Sequence, residues 1–423
     1  MTLPRISIAG GRILDPANGT DEIADLHIAD GQILAMGDAP DGFTADQTID
    51  ADATLVCPGL IDLCARLGEP GFEQRGTIAS ETRAAAHAGV TSVCCPPDTL
   101  PVIDEPSVVE LILNRAQSAG CARVLPLGAL TLGLRGEHLT EASALMHEGC
   151  VALSHADAPI RDVRVLRRAM EYAGTFDIPM LIQPQDAWLA TGGCAHEGAV
   201  ATRLGLPGIP VAAETVAIAM LIELAAHTGA RLHLSRLTSA RGVETVRRAR
   251  AEGLAITADV GINHLYLTDI DVNGFNSLCH TLPPLRTQRD REALIEGIKD
   301  GTIDAICSDH NPCESDAKLA PFEATHAGIS SLDTLLPLLL RLQDEGIDLN
   351  RCVELASAAP ARILSIDSGT LAPGANADIV VIDPEKEWEV SGASMKSAGT
   401  NTPYAGWMMR GAASTSVIAG RLI

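Results

Sequence analysis

Eight times between residues 54 and 308 a run of four to nine mostly apolar residues gives way to a longer amphipathic or turn-rich stretch. The runs are Thr54–Asp62, Thr91–Cys95, Arg123–Leu127, Cys150–Ser154, Pro179–Ile182, Arg231–Leu234, Leu254–Ala258 and Asp304–Ser308. A short apolar run bounded by polar sequence reads as a strand buried on both faces, the kind found in parallel sheets, and parallel strands require long crossovers. The crossovers carry helical spacing at Ser107–Ala119, Val211–His227 and Arg161–Tyr172, where apolar residues recur three and four apart. Eight such repeats over about 300 residues fit a (β/α)8 barrel better than a doubly wound open sheet, although strand number alone suits either.

The two ends have a different texture. Residues 6–49 alternate in short strands punctuated by Gly10-Gly11, Asn18-Gly19, Asp30-Gly31 and Asp41-Gly42, which are turn dipeptides. Ala377–Pro384 and Val417–Ile423 repeat the style. Neither end has enough sequence to bury a sheet face alone, so residues 1–53 and 367–423 are expected to combine in one small β-sandwich beside a barrel spanning 54–366.

Composition excludes several roles. The 423 residues hold 31 Lys plus Arg against 54 Asp plus Glu, a formal charge of −23, with 5 Phe, 3 Trp and 3 Tyr. Nucleic-acid binding needs clustered cations and stacking platforms, and both are scarce. No run approaches the 18 or so consecutive apolar residues of a membrane span, and no secretory signal is visible, so a cytoplasmic location is expected. Eleven scattered Cys without a C-x-x-C pair read as reduced, buried small hydrophobes.

In a barrel, chemistry sits where strands end at the C-terminal face. The eighth run exits through Ser308-Asp309-His310-Asn311-Pro312-Cys313 and the first through Asp62-Leu63-Cys64-Ala65-Arg66-Leu67-Gly68-Glu69-Pro70-Gly71. Together with Pro58-Gly59-Leu60-Ile61-Asp62, Pro97-Asp98-Thr99-Leu100-Pro101, Gly205–Pro210, Pro283-Pro284-Leu285-Arg286 and Asn401-Thr402-Pro403, these stretches make the whole chain resemble a class I dihydroorotase of the amidohydrolase superfamily. That family comprises zinc enzymes interconverting carbamoyl aspartate and dihydroorotate. The resemblance implies an amidohydrolase-type TIM barrel with a composite β-sandwich.

Laid over this sequence, the family's catalytic pattern is mostly missing. Where the family has H-x-H-x-R, with two zinc ligands and a carboxylate-binding Arg, this chain has Cys64, Arg66 and Gly68. The acidic ligand position after the fourth strand is His155, in Ser154-His155-Ala156-Asp157, and the fifth-strand ligand position is Gln183. The sixth-strand ligand position is Arg236, and the substrate positions after the second strand, before Pro283 and after Pro312 are Asp98, Leu282 and Cys313. Of the metal and catalytic set only Asp309, the general-base position, remains, with His310 beside it.

Zinc needs lone pairs, and two always-protonated guanidinium groups offer none; each would repel Zn²⁺ within about 4 Å by several kcal/mol even at high effective dielectric. Zinc is therefore expected to be absent and the chain inactive as a dihydroorotase. Asp309 is expected to pair with Arg66 or Arg236, His310 to be a hydrogen-bonded scaffold residue, His233 a satisfied core histidine, and His264 and His280 loop or core residues. A minority reading gathers Cys64, His155 and Asp309 into a new zinc site. Within the family, the resemblance is to the non-catalytic dihydroorotase-like chains that assemble with aspartate carbamoyltransferase, six chains of each, which implies a cytoplasmic hetero-dodecamer and self-association. The alternatives are a divergent metal-dependent cyclic amidohydrolase, or a metabolite-binding module holding a carboxylate on Arg66 and Arg236.

Overall fold

The computed structural model describes residues 3–423. Eight parallel strands follow one another in chain order: Leu60–Asp62, Val90–Cys95, Arg123–Ala129, Ala152–Ser154, Met180–Ile182, Leu232–Leu234, Thr257–Gly261 and Ala305–Cys307. The first and eighth meet just beyond their ends. Ala65 bridges to His310, the Arg66 N–H donates to the His310 carbonyl at 2.8 Å, and the Ser308 N–H donates to the Asp62 carboxylate at 2.8 Å. The result is a nearly closed barrel.

Neighbouring residues along these strands divide between two apolar cores. Ile61, Cys94, Ala152, Leu181 and Ala305 pack inside the barrel, whereas Leu60, Cys95, Leu153, Ile182 and Ile306 face the surrounding helices. The period of two explains why the runs read as continuously apolar, since each face has a buried partner. The outer helices begin just past the site-forming loops and are capped there: Thr77 caps Ile78–His87, Ser239 caps Ala240–Ala251 and Thr287 caps Gln288–Lys299. Helix Val211–Thr228 is long and apolar enough to cross a membrane by composition, yet it lies in this outer ring with Ala217, Ile218, Leu221 and the charged Glu214 all buried.

Both chain ends enter one eight-stranded sheet, in which Ile379–Glu389 pairs antiparallel with Leu55–Pro58 and that strand pairs parallel with Ile6–Asp15. Ile6, Ile8, Leu26, Ile28, Val56, Ile379 and Val381 form the sheet's own core. The alternate residues Leu55, Cys57, Val380 and Ile382 turn to the barrel instead.

Three local expectations change. The run Thr54–Asp62 is two strands, broken at Gly59, where a Cβ would lie 2.2 Å from Thr91 Cγ2, so only Leu60–Asp62 belongs to the barrel. Gly10-Gly11 is not a turn but a bulge inside Ile6–Asp15, whereas Asp30-Gly31, with φ of 53° and 80°, makes the expected hairpin turn. The seventh strand sits at Thr257–Gly261 rather than 254–258, because the chain leaving helix Ala240–Ala251 turns at Gly253 (φ 91°) before it extends.

Candidate functional site

Five strand exits contribute charged side chains to the barrel mouth. Arg66 follows the first strand, Asp98 the second, Asp157 the fourth, Arg236 the sixth and Asp309 the eighth. Arg66 donates from Nε to Asp98 Oδ2 at 2.8 Å and from Nη2 to Asp157 Oδ2 at 2.6 Å, and its Nη1 lies 3.9 Å from Asp309 Oδ1. Arg236 donates from Nη2 to Asp157 Oδ1, from Nη1 to Asp309 Oδ1 at 2.9 Å, and more weakly to the Leu282 carbonyl at 3.4 Å. Asp157 therefore bridges the two arginines, one oxygen to each.

The electrostatics keep the arginines charged. Burial opposes the Arg66 charge, but Asp157 and then Asp98 more than offset it, and its pKa rises further. Arg236, 3% exposed, is likewise pushed up by Asp157 and Asp309 against its burial. Burial alone would raise Asp157; Arg236 and Arg66 reverse that and hold its carboxyl below the usual range. The backbone holding Arg236 is itself anchored: with φ of 57°, its N–H donates to Asp259 Oδ1 at 2.6 Å. The other Asp259 oxygen lies 2.8 Å from His233 Nε2, and His233 Nδ1 lies 2.8 Å from Thr257 Oγ1.

Cys64 adjoins this network, its thiol donating to Asp309 Oδ1 across 3.8 Å, and burial raises its pKa well above the ordinary value. A protonated thiol and carboxylates already paired with guanidinium leave few lone pairs pointing at one place. His155 is not among them. It is buried, its nitrogens have no hydrogen-bond partner, burial lowers its pKa to about 4, and it borders a small cavity with Ile160, Leu166, Ile182 and Gln183. The trio Cys64, His155 and Asp309 is thus not gathered, and among the described residues no three His, Cys, Asp or Glu side chains converge as a metal would require. By the chemistry of its donors, the mouth does not fit a divalent cation.

The remaining positions singled out in the sequence are buried or half-buried. Gly68 has φ 75° and lies so close to the returning chain that a Cβ would meet the Gly76 carbonyl oxygen at 2.4 Å, so an arginine there has no room. Leu282 offers only its carbonyl, Gln183 borders the small cavity, and Cys313 is buried with its N–H donating to Asn401 Oδ1 at 2.9 Å. His310 is fully buried, Nε2 3.0 Å from Glu81 Oε2 and Nδ1 accepting from the Ser331 N–H at 3.0 Å, the scaffold role expected of it. His233 is the satisfied core residue expected. His280 is buried with Nδ1 2.8 Å from Thr325 Oγ1, and His264 is buried with its nitrogens unpartnered and its pKa lowered by burial to about 4. The sequence reading missed Asp157, although a second arginine at the mouth signals the need for another carboxylate. It also erred in offering Arg66 and Arg236 as a free carboxylate clamp, since their side chains are engaged by Asp98, Asp157 and Asp309.

Comparison with known proteins bears on the family and the fold. Residues 53–241 match the family model described as dihydro-orotase-like. The chain is 49% identical over 418 residues to a dihydroorotase-like protein of Pseudomonas aeruginosa, covering 99% of each. It is 42% identical to a dihydroorotase of a Geobacter species, covering 98% of each. Among solved structures, the L-hydantoinase (dihydropyrimidinase) of Arthrobacter aurescens superposes with a TM-score of 0.87 at 22% identity, covering 100% of this chain and 96% of that one, a likeness of fold. Extended similarity along the whole chain, carried on an amidohydrolase barrel, places this protein in the dihydroorotase-like family of the amidohydrolase superfamily.

Proposed function

We propose that this chain is a catalytically inactive dihydroorotase-like protein that serves as a structural subunit of an aspartate carbamoyltransferase assembly in pyrimidine biosynthesis. The observation that carries the first half is the Arg66–Asp157–Arg236 bridge, which fills two metal-ligand positions with cations and consumes the carboxylates around them. Hydrolysis of a cyclic amide in this superfamily relies on metal to activate water, and a protein carboxylate alone does not lower the pKa of water from 15.7 to about 7. The partner rests on family resemblance, and the intact core and full-length similarity support a role that needs the folded surface.

Protein purified without chelator and supplied with Zn²⁺ should show no ring opening of dihydroorotate and no ring closure of carbamoyl aspartate. Turnover dependent on Asp309 overturns inactivity. Co-expression with the transcarbamoylase from the same genome should give one large species by size-exclusion chromatography, with transcarbamoylase activity lost or reduced when this chain is omitted. Two separate peaks with unchanged activity overturn the assembly role.

A further inference from the structure

Where helices Ile78–His87 and Leu332–Arg341 meet strands Ile379–Glu389 and Met408–Ile418, at the seam between the barrel and the end sheet, there is a cavity of about 290 Å³. It shares no residue with the barrel mouth. The chain has four lysines, and two of them, Lys386 and Lys396, border this one cavity. The other two are committed: Lys299 pairs with Glu296 at 2.8 Å, and buried Lys318 donates to the carbonyls of Ser277 and His326 at 3.0 and 2.7 Å. Among the described residues no carboxylate lies within ion-pair distance of the Lys386 or Lys396 ammonium, although the chain carries 54 Asp plus Glu. The Trp388 indole and the His87 imidazole border the same space. We propose that this cavity binds a small aromatic phosphate monoester, its dianion held by Lys386 and Lys396 and its ring laid against Trp388.

Lys386 and Trp388 stand two apart on strand Ile379–Glu389 and so share a face, whereas Glu385, Glu387 and Glu389 do not border the cavity. Lys396 comes from the loop that follows, which Asp333 pins: one Asp333 oxygen accepts from the Lys396 N–H at 2.7 Å and the other from the Ser397 N–H at 3.2 Å. Asp333 is thereby committed to backbone, and among the described residues no other carboxylate borders the cavity. Trp388 Nε1 donates to the Gly411 carbonyl at 3.3 Å, which fixes the indole plane, and Leu336, Pro337 and Ala412 supply an apolar wall beside it. The chemistry of the cations selects the anion. An ammonium is a compact charge with three rotatable donors and suits the tetrahedral oxygens of phosphate, whereas a planar carboxylate is better matched by a guanidinium fork. Two lysines without counter-charges balance a dianion, and a formal charge of −23 disfavours anions over the chain as a whole, so such a ligand needs this local concentration of cations. The site stands whether or not the chain assembles with a transcarbamoylase.

The test titrates phenyl phosphate into the full-length protein by calorimetry at low ionic strength, where exposed cations are least screened, alongside inorganic phosphate and phenol. Saturable binding at about 1 mM or tighter is expected for phenyl phosphate, with each of the other two weaker by about tenfold or more. Lys386→Gln combined with Lys396→Gln should weaken phenyl phosphate by about tenfold or more with circular dichroism unchanged, since both side chains are exposed. Trp388→Leu should weaken phenyl phosphate and leave inorganic phosphate as it was, and Arg164→Gln, which removes an exposed charge that does not border the cavity, should leave both unchanged. The proposal is overturned if phenyl phosphate does not bind at about 10 mM, if the double lysine variant or Trp388→Leu binds it as wild type does, if Arg164→Gln weakens it equally, or if inorganic phosphate or phenol alone binds as tightly.

Discussion

Replacing Arg236 by Met tests the central interaction, because the side chain keeps its bulk and loses its charge. Wild-type Asp309, 9% exposed, has Arg236 at 2.9 Å and Arg66 only at 3.9 Å, so the variant leaves a buried carboxylate with one distant cation. Asp157 keeps Arg66 at 2.6 Å and is a third exposed, so water screens part of its loss. Breaking a buried pair from one side costs about 3–5 kcal/mol, and most of it here falls on Asp309. Adding Asp309→Asn removes the orphaned charge and should recover about 2 kcal/mol, because a neutral pair of similar volume carries little penalty. Urea denaturation at constant m-value measures both. The pH dependence has a definite sign: the Asp157 carboxyl is held below its ordinary value of 3.8, so its contribution is full above that pH and is lost as pH falls through the folded value. The part of the gap carried by Asp157 should be full near neutrality and should fall away below about pH 4. A deficit under about 1 kcal/mol, or one that does not depend on pH, would refute the reasoning.

Other outcomes follow from the same structure. Gly68→Arg, the change that restores the family's residue, should destabilise the fold by about 1–3 kcal/mol in urea and give no activity, because φ is 75° and the Gly76 carbonyl occupies the space. His310→Ala should cost about 1–3 kcal/mol, since fully buried Glu81 loses the Nε2–H donor at 3.0 Å while keeping the Ser397 hydroxyl at 2.6 Å. Thiol labelling of the native protein should modify Cys121 quickly and the remaining ten cysteines only after denaturation, since those ten are buried.

Where sequence reasoning succeeded, it rested on patterns that do not depend on distant neighbours. The strands were legible because each apolar run is buried on both faces, and Asp309 and His233 were legible because a lone charge or imidazole in such a run must find a partner. Asp157 was not legible, for a local reason. Ala156 takes φ 49°, and beyond it Asp157 meets both arginines whereas the adjacent His155 is buried with its nitrogens unpartnered. The split of Thr54–Asp62 was hidden similarly, because both halves are apolar and only the packing of Gly59 against Thr91 marks the boundary.

The geometry of the network bears on why such a barrel keeps its shape. Asp309 projects from a strand exit with φ 49°, buried beside Cys64, and a carboxylate in that place needs a cation. A divalent metal would meet the need with His and carboxylate ligands from several strands, and guanidinium groups meet it with fixed covalent tethers. The exchange also changes what the charges link. Arg66 joins the exits of the first, second and fourth strands, and Arg236 joins the fourth, sixth and eighth, so side chains alone span the mouth of the barrel. Because the first and eighth strands pair only beyond their ends, at Ala65 and His310, this lattice reinforces the mouth where the backbone ladder is thinnest. Amide exchange offers a direct check: in Arg236→Met, the amides of Arg66 and Ser308 should lose protection more than those of the third strand, and uniform loss across the barrel would show that the network does not act at the seam.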